Sequence, residues 1–214
     1  MVGASRLAAL VVLTGGLVGT AQAAAGVAMA ATATPMSASG ATASSPKGGA
    51  VKGKAQFVLS IPGAHDGSTF PRRRAPKDKA CGAGQDLSPP LAWRGVPAGT
   101  QSFAITMYDP DGKTGLGVIH WIHYGLPADL THLPEGAGQS ASIPGVGGTN
   151  SPGNQQYHGP CPPAGEVAHH YVIEIYALDL PPDALKAGMT RDAFLSAVTG
   201  HVLANTSIVQ RYGL

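Results

Sequence analysis

The chain has 214 residues and a formal net charge of +2, with 43% hydrophobic and 12% charged residues, 30 glycines and 18 prolines. Charge so close to neutral lacks the basic footprint of a nucleic-acid-binding domain, so no nucleic-acid partner is expected. No stretch after the first 23 residues is long and apolar enough for a transmembrane segment.

Residues 1–23 read as a secretory signal peptide. Arg6 supplies the positive charge, Leu7 to Gly19 the apolar run, and Ala21-Gln22-Ala23 a small-residue cleavage site. The run falls short of the roughly 20 residues that span a bilayer as a helix, and no Cys near the cleavage point offers a lipid anchor. Residues 24–54 are rich in Ala, Thr, Ser, Gly and Pro and carry no aromatic side chain. Such a segment buries too little apolar surface to offset its ordering entropy, and it reads as a disordered leader. Its Ser44-Ser45-Pro46-Lys47 matches S-x-x-K, but without partner motifs in low-complexity sequence this is chance. The chain is therefore expected to be exported, to the periplasm or beyond.

Residues 55–214 hold every Trp, Phe and Tyr and are numerous enough for one well-buried domain. Four runs have β composition: residues 56–61, 102–108, 118–125 and 171–178. Turn clusters such as GAHDGS, DPDGKTG and PGVGGTNSPGNQ separate them. Between the first two, Pro71 to Lys79 carries five basic residues. It is expected to be a solvated loop, the alternative being a landing site for anionic lipid or polysaccharide. A short helix is expected around Asp183–Lys186, ending at Gly188. A C-terminal helix follows, with Thr190 as N-cap, Asp192 in its first turn and Phe194, Leu195, Val198 and Val202 on one face. The fold class is mostly β with short peripheral helices, a sandwich in preference to a barrel. Two cysteines in an exported chain, Cys81 and Cys161, invite a disulfide. A bridge over that span stabilises by about 4 kcal/mol in the chain-entropy model.

Strand periodicity sorts the polar residues. Phe103, Ile105 and Met107 mark an inner face, and Asp109 has their parity at the strand end. Tyr171, Ile173 and Ile175 mark the inner face of the last β run. His169 shares it, and His170 points away. His120 and His123 fall on opposite faces of a run that is apolar on both sides, so parity does not choose between them. Neither His pair has the spacing of a metal site, and no metal or other cofactor is expected. Polar groups aimed inward at strand ends must be paired or serve a site.

Taken in order, SPPLAWRGVPAGTQSFAITMYDPDG, a downstream His-Trp, and GPCPPAGEVAHHYVIEIYALD resemble the phosphatidylethanolamine-binding protein family, in its bacterial Raf-kinase-inhibitor-like branch. The likeness runs from about Phe57 to Tyr212. It implies an antiparallel Greek-key β-sandwich with a pocket at one end that binds anions. On matching positions Asp109, His120, His169 and Tyr171 line that pocket, with Gly159 and the Pro162-Pro163 turn at its rim. The resemblance thus selects His120 over His123. Two departures stand out. Gly112-Lys113 follows Asp109-Pro110-Asp111 where the family has Ala-Pro, which adds a charge near the mouth. His170 stands where the family has Arg, which puts the salt bridge of that arm in doubt. Asp111 is expected to make local turn hydrogen bonds.

The donors fit an anion, and Asp109 can accept from a histidine and fix its tautomer. The chain has no nucleophile elbow, dinucleotide-binding glycine pattern or P-loop, and Cys161 as a nucleophile would be silenced by a bridge. The reading is a binding protein and not an enzyme, holding a phosphate-bearing small molecule, a lipid headgroup or a peptide terminus. The alternative is a modulator of a protein partner, an inhibitor of a protease or kinase, for which a protease or a host protein is the partner an exported chain meets more readily; a hydrolase ranks below both.

Overall fold

A computed structural model describes residues 56–214. The expected signal peptide and leader lie outside the described residues. Two antiparallel sheets form the fold. The smaller contains β1 (Val58–Ser60), β2 (Leu91–Arg94) and β5 (His132–Leu133), in the order β1-β2-β5. The larger contains β3 (Ser102–Asp109), β4 (Val118–Pro127), β6 (Val146–Gly147), β7 (His169–Leu178) and β8 (Val202–Tyr212), in the order β6-β4-β3-β7-β8.

The alternation of side chains along each strand builds two cores. Phe103, Ile105 and Met107 of β3 and Tyr171, Ile173 and Ile175 of β7 face Leu59, Leu91, Trp93 and Leu133 of the smaller sheet, which makes the sandwich. The opposite parity of the larger sheet, Ala104, Ile122, Tyr124, Tyr176 and Leu178, packs against Phe194 and Val198 of a helix, Arg191–Val198. The central strands are thus covered on both faces, which is why β4 reads as apolar on both parities.

That helix starts as the sequence suggests, with the Thr190 side chain accepting from the Ala193 amide and Asp192 in the first turn. It stops earlier than expected. Gly200 adopts φ +84°, and Val202 opens an eleven-residue strand that pairs with all of β7. The chain therefore ends in a strand, and Val202 is not on the helix face. The expected helix at Asp183–Lys186 is a series of turns closed by Gly188 at φ +81°. Four residues are too few to nucleate a helix without packing that demands one.

Two register shifts interrupt β4. Phe103 pairs with Leu126 and Ala104 with Tyr124, so Gly125 is extra. Met107 pairs with Trp121 and Tyr108 with Ile119, so His120 is extra. The second bulge matters for the site. In an unbroken strand His120 would share a face with Ile122. The bulge instead turns Ile119 toward the helix-side core that holds Ile122. His120 is left with its ring edge-on to Tyr171, centroids 5.2 Å apart.

Candidate anion site at the strand ends

Asp109 ends β3 and is only 3% exposed. A buried carboxylate needs partners, and this one has four neighbours. Its Oδ1 accepts from the amides of Asp111 and Gly112 at 2.9 and 3.0 Å, a short turn folded around the carboxylate. Its Oδ2 accepts from His169 Nδ1 at 2.8 Å, and His120 Nε2 lies 3.9 Å away. Burial alone would raise the Asp109 pKa, but His120 and His169 outweigh it and hold the carboxyl below its ordinary range.

His169 stands between two carboxylates, because Glu166 Oε2 lies 3.2 Å from its Nε2. Both ring nitrogens then donate, which requires the imidazolium form. Burial pushes its pKa down, yet the bonds to Asp109 and Glu166 prevail and the net shift is upward. His120 is fixed differently. Its Nδ1 donates to the His158 carbonyl at 2.9 Å, and the two rings stack. Its Nε2 is buried with no hydrogen-bond partner, and so is the Tyr171 hydroxyl. Burial, with Asp109 and Asp111 nearby, raises the Tyr171 pKa and keeps the phenol protonated.

A pocket of about 350 Å³ opens onto this cluster. Asp109, His120 and His169 lie in it, with Lys113, Val118, Ser151, Pro152, His158, Cys161, Pro162 and Pro163 around them. Five of the seven residues singled out in the sequence therefore meet at one cavity. Tyr171 does not reach its surface and instead backs His120. Gly159 does not form the rim. It is buried, its amide donates to Asp86 at 2.7 Å, and a Cβ there would sit 2.0 Å from the Arg74 carbonyl oxygen. Its role is close backbone packing behind the pocket wall. His123 lies elsewhere, bonded to the Pro144 carbonyl, and burial lowers its pKa.

Other outcomes depend on contacts across loops. Cys81 and Cys161 are joined in a disulfide, which fastens the pocket wall to the Lys79–Cys81 turn. Asp111 does not make only local turn bonds. Its carboxylate accepts from both the backbone and the ring of His170, so the arm is tied to the loop without an arginine. The basic stretch is not wholly solvated. Arg74 is 2% exposed and holds the Ser88 carbonyl and Glu135, while the other basic residues, Arg72, Arg73, Lys77 and Lys79, stay exposed. Glu166 and Ser151 were not legible in the sequence, since each lies in a loop without periodicity. Among the described residues no three His, Cys, Asp or Glu side chains are grouped to hold a metal ion.

The model of the family described as phosphatidylethanolamine-binding protein matches residues 60–213. The chain belongs to the phosphatidylethanolamine-binding protein family. Within that family it is similar to a UPF0098 protein of Methanothermobacter thermautotrophicus, 37% identical over 143 residues, covering 66% of this chain and 91% of the relative. It is also similar to the UPF0098 protein YbhB of Escherichia coli, 41% identical over 132 residues, or 60% of this chain and 83% of the relative. Among solved structures, Escherichia coli YbcL, described as a new member of the mammalian PEBP family, superposes with a TM-score of 0.69 at 32% identity. The match covers 75% of this chain and 99% of YbcL. The Chlamydia trachomatis homologue CT736 gives 0.65 at 30% identity, with 75% and 99% covered. Membership makes this a ligand-binding protein of the same type, built on the same two-sheet frame.

Proposed function

We propose that the pocket holds an oxyanion, the phosphate of a small molecule or of a lipid headgroup, and that it binds without turnover. One observation carries this reading. His120 Nε2 and the Tyr171 hydroxyl are buried and unpartnered beside an Asp109–His169 pair whose other polar atoms are satisfied. A buried polar atom without a partner costs about 1–3 kcal/mol, so His120 Nε2 at the pocket suits a ligand that bonds it, with the Tyr171 hydroxyl behind it. In the tautomer set by the His158 carbonyl, Nε2 of neutral His120 is an acceptor. A phosphate therefore brings its own proton to it or binds as His120 becomes imidazolium. Lys113 at the pocket supplies further positive charge. Cys161 offers no nucleophile, because its sulfur is in the bridge, and that bridge accords with an oxidising compartment and an exported chain.

The test is a titration with inorganic phosphate and phosphoethanolamine, following the ring signals of His120 and His169 by NMR. We expect saturable shifts at both that vanish in Asp109→Ala. Silence of both rings at millimolar ligand would make the cluster closed structure and end the proposal.

A further inference from the structure

A second cavity, of about 380 Å³, borders residues 61–71, the loop that leaves β1 and crosses to the edge of β8. Its walls are tied down. The Gly67 and Phe70 amides donate to the Val209 and Arg211 carbonyls at 2.8 Å, and the Arg211 amide donates to the Ser68 carbonyl at 2.9 Å. The buried Gln210 side chain donates to the His65 carbonyl and accepts from the Ser68 hydroxyl. Ile61, Ala64 and Phe70 supply an apolar side. None of these residues belongs to the pocket at Asp109.

Arg73 and Arg74 line the same cavity, and Arg74 is enclosed in the protein. Its Nη1 donates to the Leu87 and Ser88 carbonyls and its Nη2 bonds Glu135, but its Nε is buried with no hydrogen-bond partner. A buried donor left without an acceptor is costly and rare. The same Glu135 oxygen also takes the Arg73 Nε at 3.0 Å, so two guanidinium charges share one carboxylate. No Asp or Glu lines the cavity. Asp66, the acid within the loop, turns its carboxylate to the Val209 amide, and the His65 ring is bonded to the Asp66 carbonyl. The guanidinium pair therefore carries one positive charge more than the carboxylate it binds.

We propose that this cavity is a second ligand site, for a small monocarboxylate. Its oxygens accept from Arg74 Nε and face Arg73, and its short aliphatic part lies against Ile61, Ala64 and Phe70. An acceptor is what the buried Nε lacks, and a single negative charge balances the surplus. A phosphate dianion would instead set a second negative charge against Glu135. A free carboxylic acid and the C-terminal residue of a peptide share this chemistry. The site stands apart from the anion pocket and does not depend on it.

Titration of the full chain with butyrate tests it, following the Arg74 Nε–H signal and the amides of Ser68, Thr69 and Phe70 by NMR. We expect saturable shifts at these groups, the same with and without inorganic phosphate. Butanamide has the same shape and no charge, and it should bind at least about ten-fold more weakly, the effect of losing a hydrogen bond to an ionised acceptor. Ala64→Phe fills the apolar side and should abolish the shifts, while its thermal midpoint and the responses of His120 and His169 to phosphate match the wild type. Arg74→Lys keeps the charge without the Nε donor and should weaken butyrate by a similar factor. The tripeptide Ala-Ala-Val, compared with its C-terminal amide, separates the sources: a response to the free terminus alone assigns a peptide end, and a response to butyrate alone a free acid. Silence of the four signals toward both butyrate and the peptide overturns the proposal. So does an equal response to butanamide, a comparison made on the wild type that needs no variant to fold. Shifts that survive in folded Ala64→Phe place the ligand elsewhere and overturn it too.

Discussion

His169 carries the strongest coupling in the site, since it is the one cation between Asp109 and Glu166. Its pKa is raised above the ordinary 6.5, so the native state holds this proton more tightly than the unfolded chain does. The resulting stabilisation is present in full below pH 6.5 and is lost as the pH rises through the raised value. Asp109 works in the other direction. Its pKa lies below the ordinary 3.8, so its contribution is present above that pH and disappears as the pH falls through the lowered value. The pair stabilises most between the two limits. Replacing Glu166 by Gln removes the negative charge from one of the two acceptors, and the His169 titration midpoint should move down relative to wild type. In urea unfolding across this range, the alkaline loss of stability should then be smaller and complete at a lower pH. An unchanged midpoint would show that Glu166 does not act on His169 in solution.

The β4 bulge and the wall behind it set where these groups stand. One unpaired residue in the ladder moves His120 out of the parity of Ile122 and onto the side of Tyr171, a placement that regular alternation would not produce. The His158 carbonyl then fixes the ring, and His158 is followed by Gly159, pressed against the Arg74 carbonyl. Gly159→Ala must displace one backbone or the other, since its Cβ would lie 2.0 Å from that oxygen and 3.0 Å from the Ala75 Cα. We expect a loss of about 1–3 kcal/mol in denaturant unfolding, the usual cost of overpacking. Phosphate binding should weaken with it, because the movement carries the His158 carbonyl away from His120. Full stability and full binding in this variant would show that the wall yields without consequence for the site.

Across the whole domain, the Cys81–Cys161 bridge is a long-range constraint on the pocket, its ends 80 positions apart in sequence. Loop closure of that length is worth about 4 kcal/mol in the chain-entropy model. The Cys81→Ala/Cys161→Ala variant should therefore unfold at markedly lower denaturant, with a steeper dependence on denaturant concentration, because the unbridged unfolded chain is less compact and exposes more surface. The 79–81 turn also gains support from the Tyr212 hydroxyl, which donates to the Cys81 carbonyl at 3.1 Å. Pocket geometry should thus loosen and not collapse, with His120 and His169 still responding to phosphate at higher concentration. Equal stability of the bridged and unbridged proteins would remove the bridge from this account.

Much of this architecture was legible because its signals are local. The run at 102–108 alternates, and Glu174 breaks the apolar pattern of 171–178 on one parity, so both disclosed their inner faces and with them Asp109, His169 and the outward His170. The ordered motifs from Ser88 to Asp179 disclosed the family. Thr190 announced its helix because a cap acts within three residues. The rest depended on partners far along the chain. Val202–Tyr212 is β-structured because β7 lies beside it, and its mixed composition gives no sign of that. His120 faces the site through an irregularity in pairing, Gly159 is required by a carbonyl 85 residues earlier, and Glu166 and Ser151 meet the site from aperiodic loops. Periodicity specifies which way a side chain points in a regular strand. A bulge, a close backbone approach and a cross-loop ion pair arise only when distant segments are packed together.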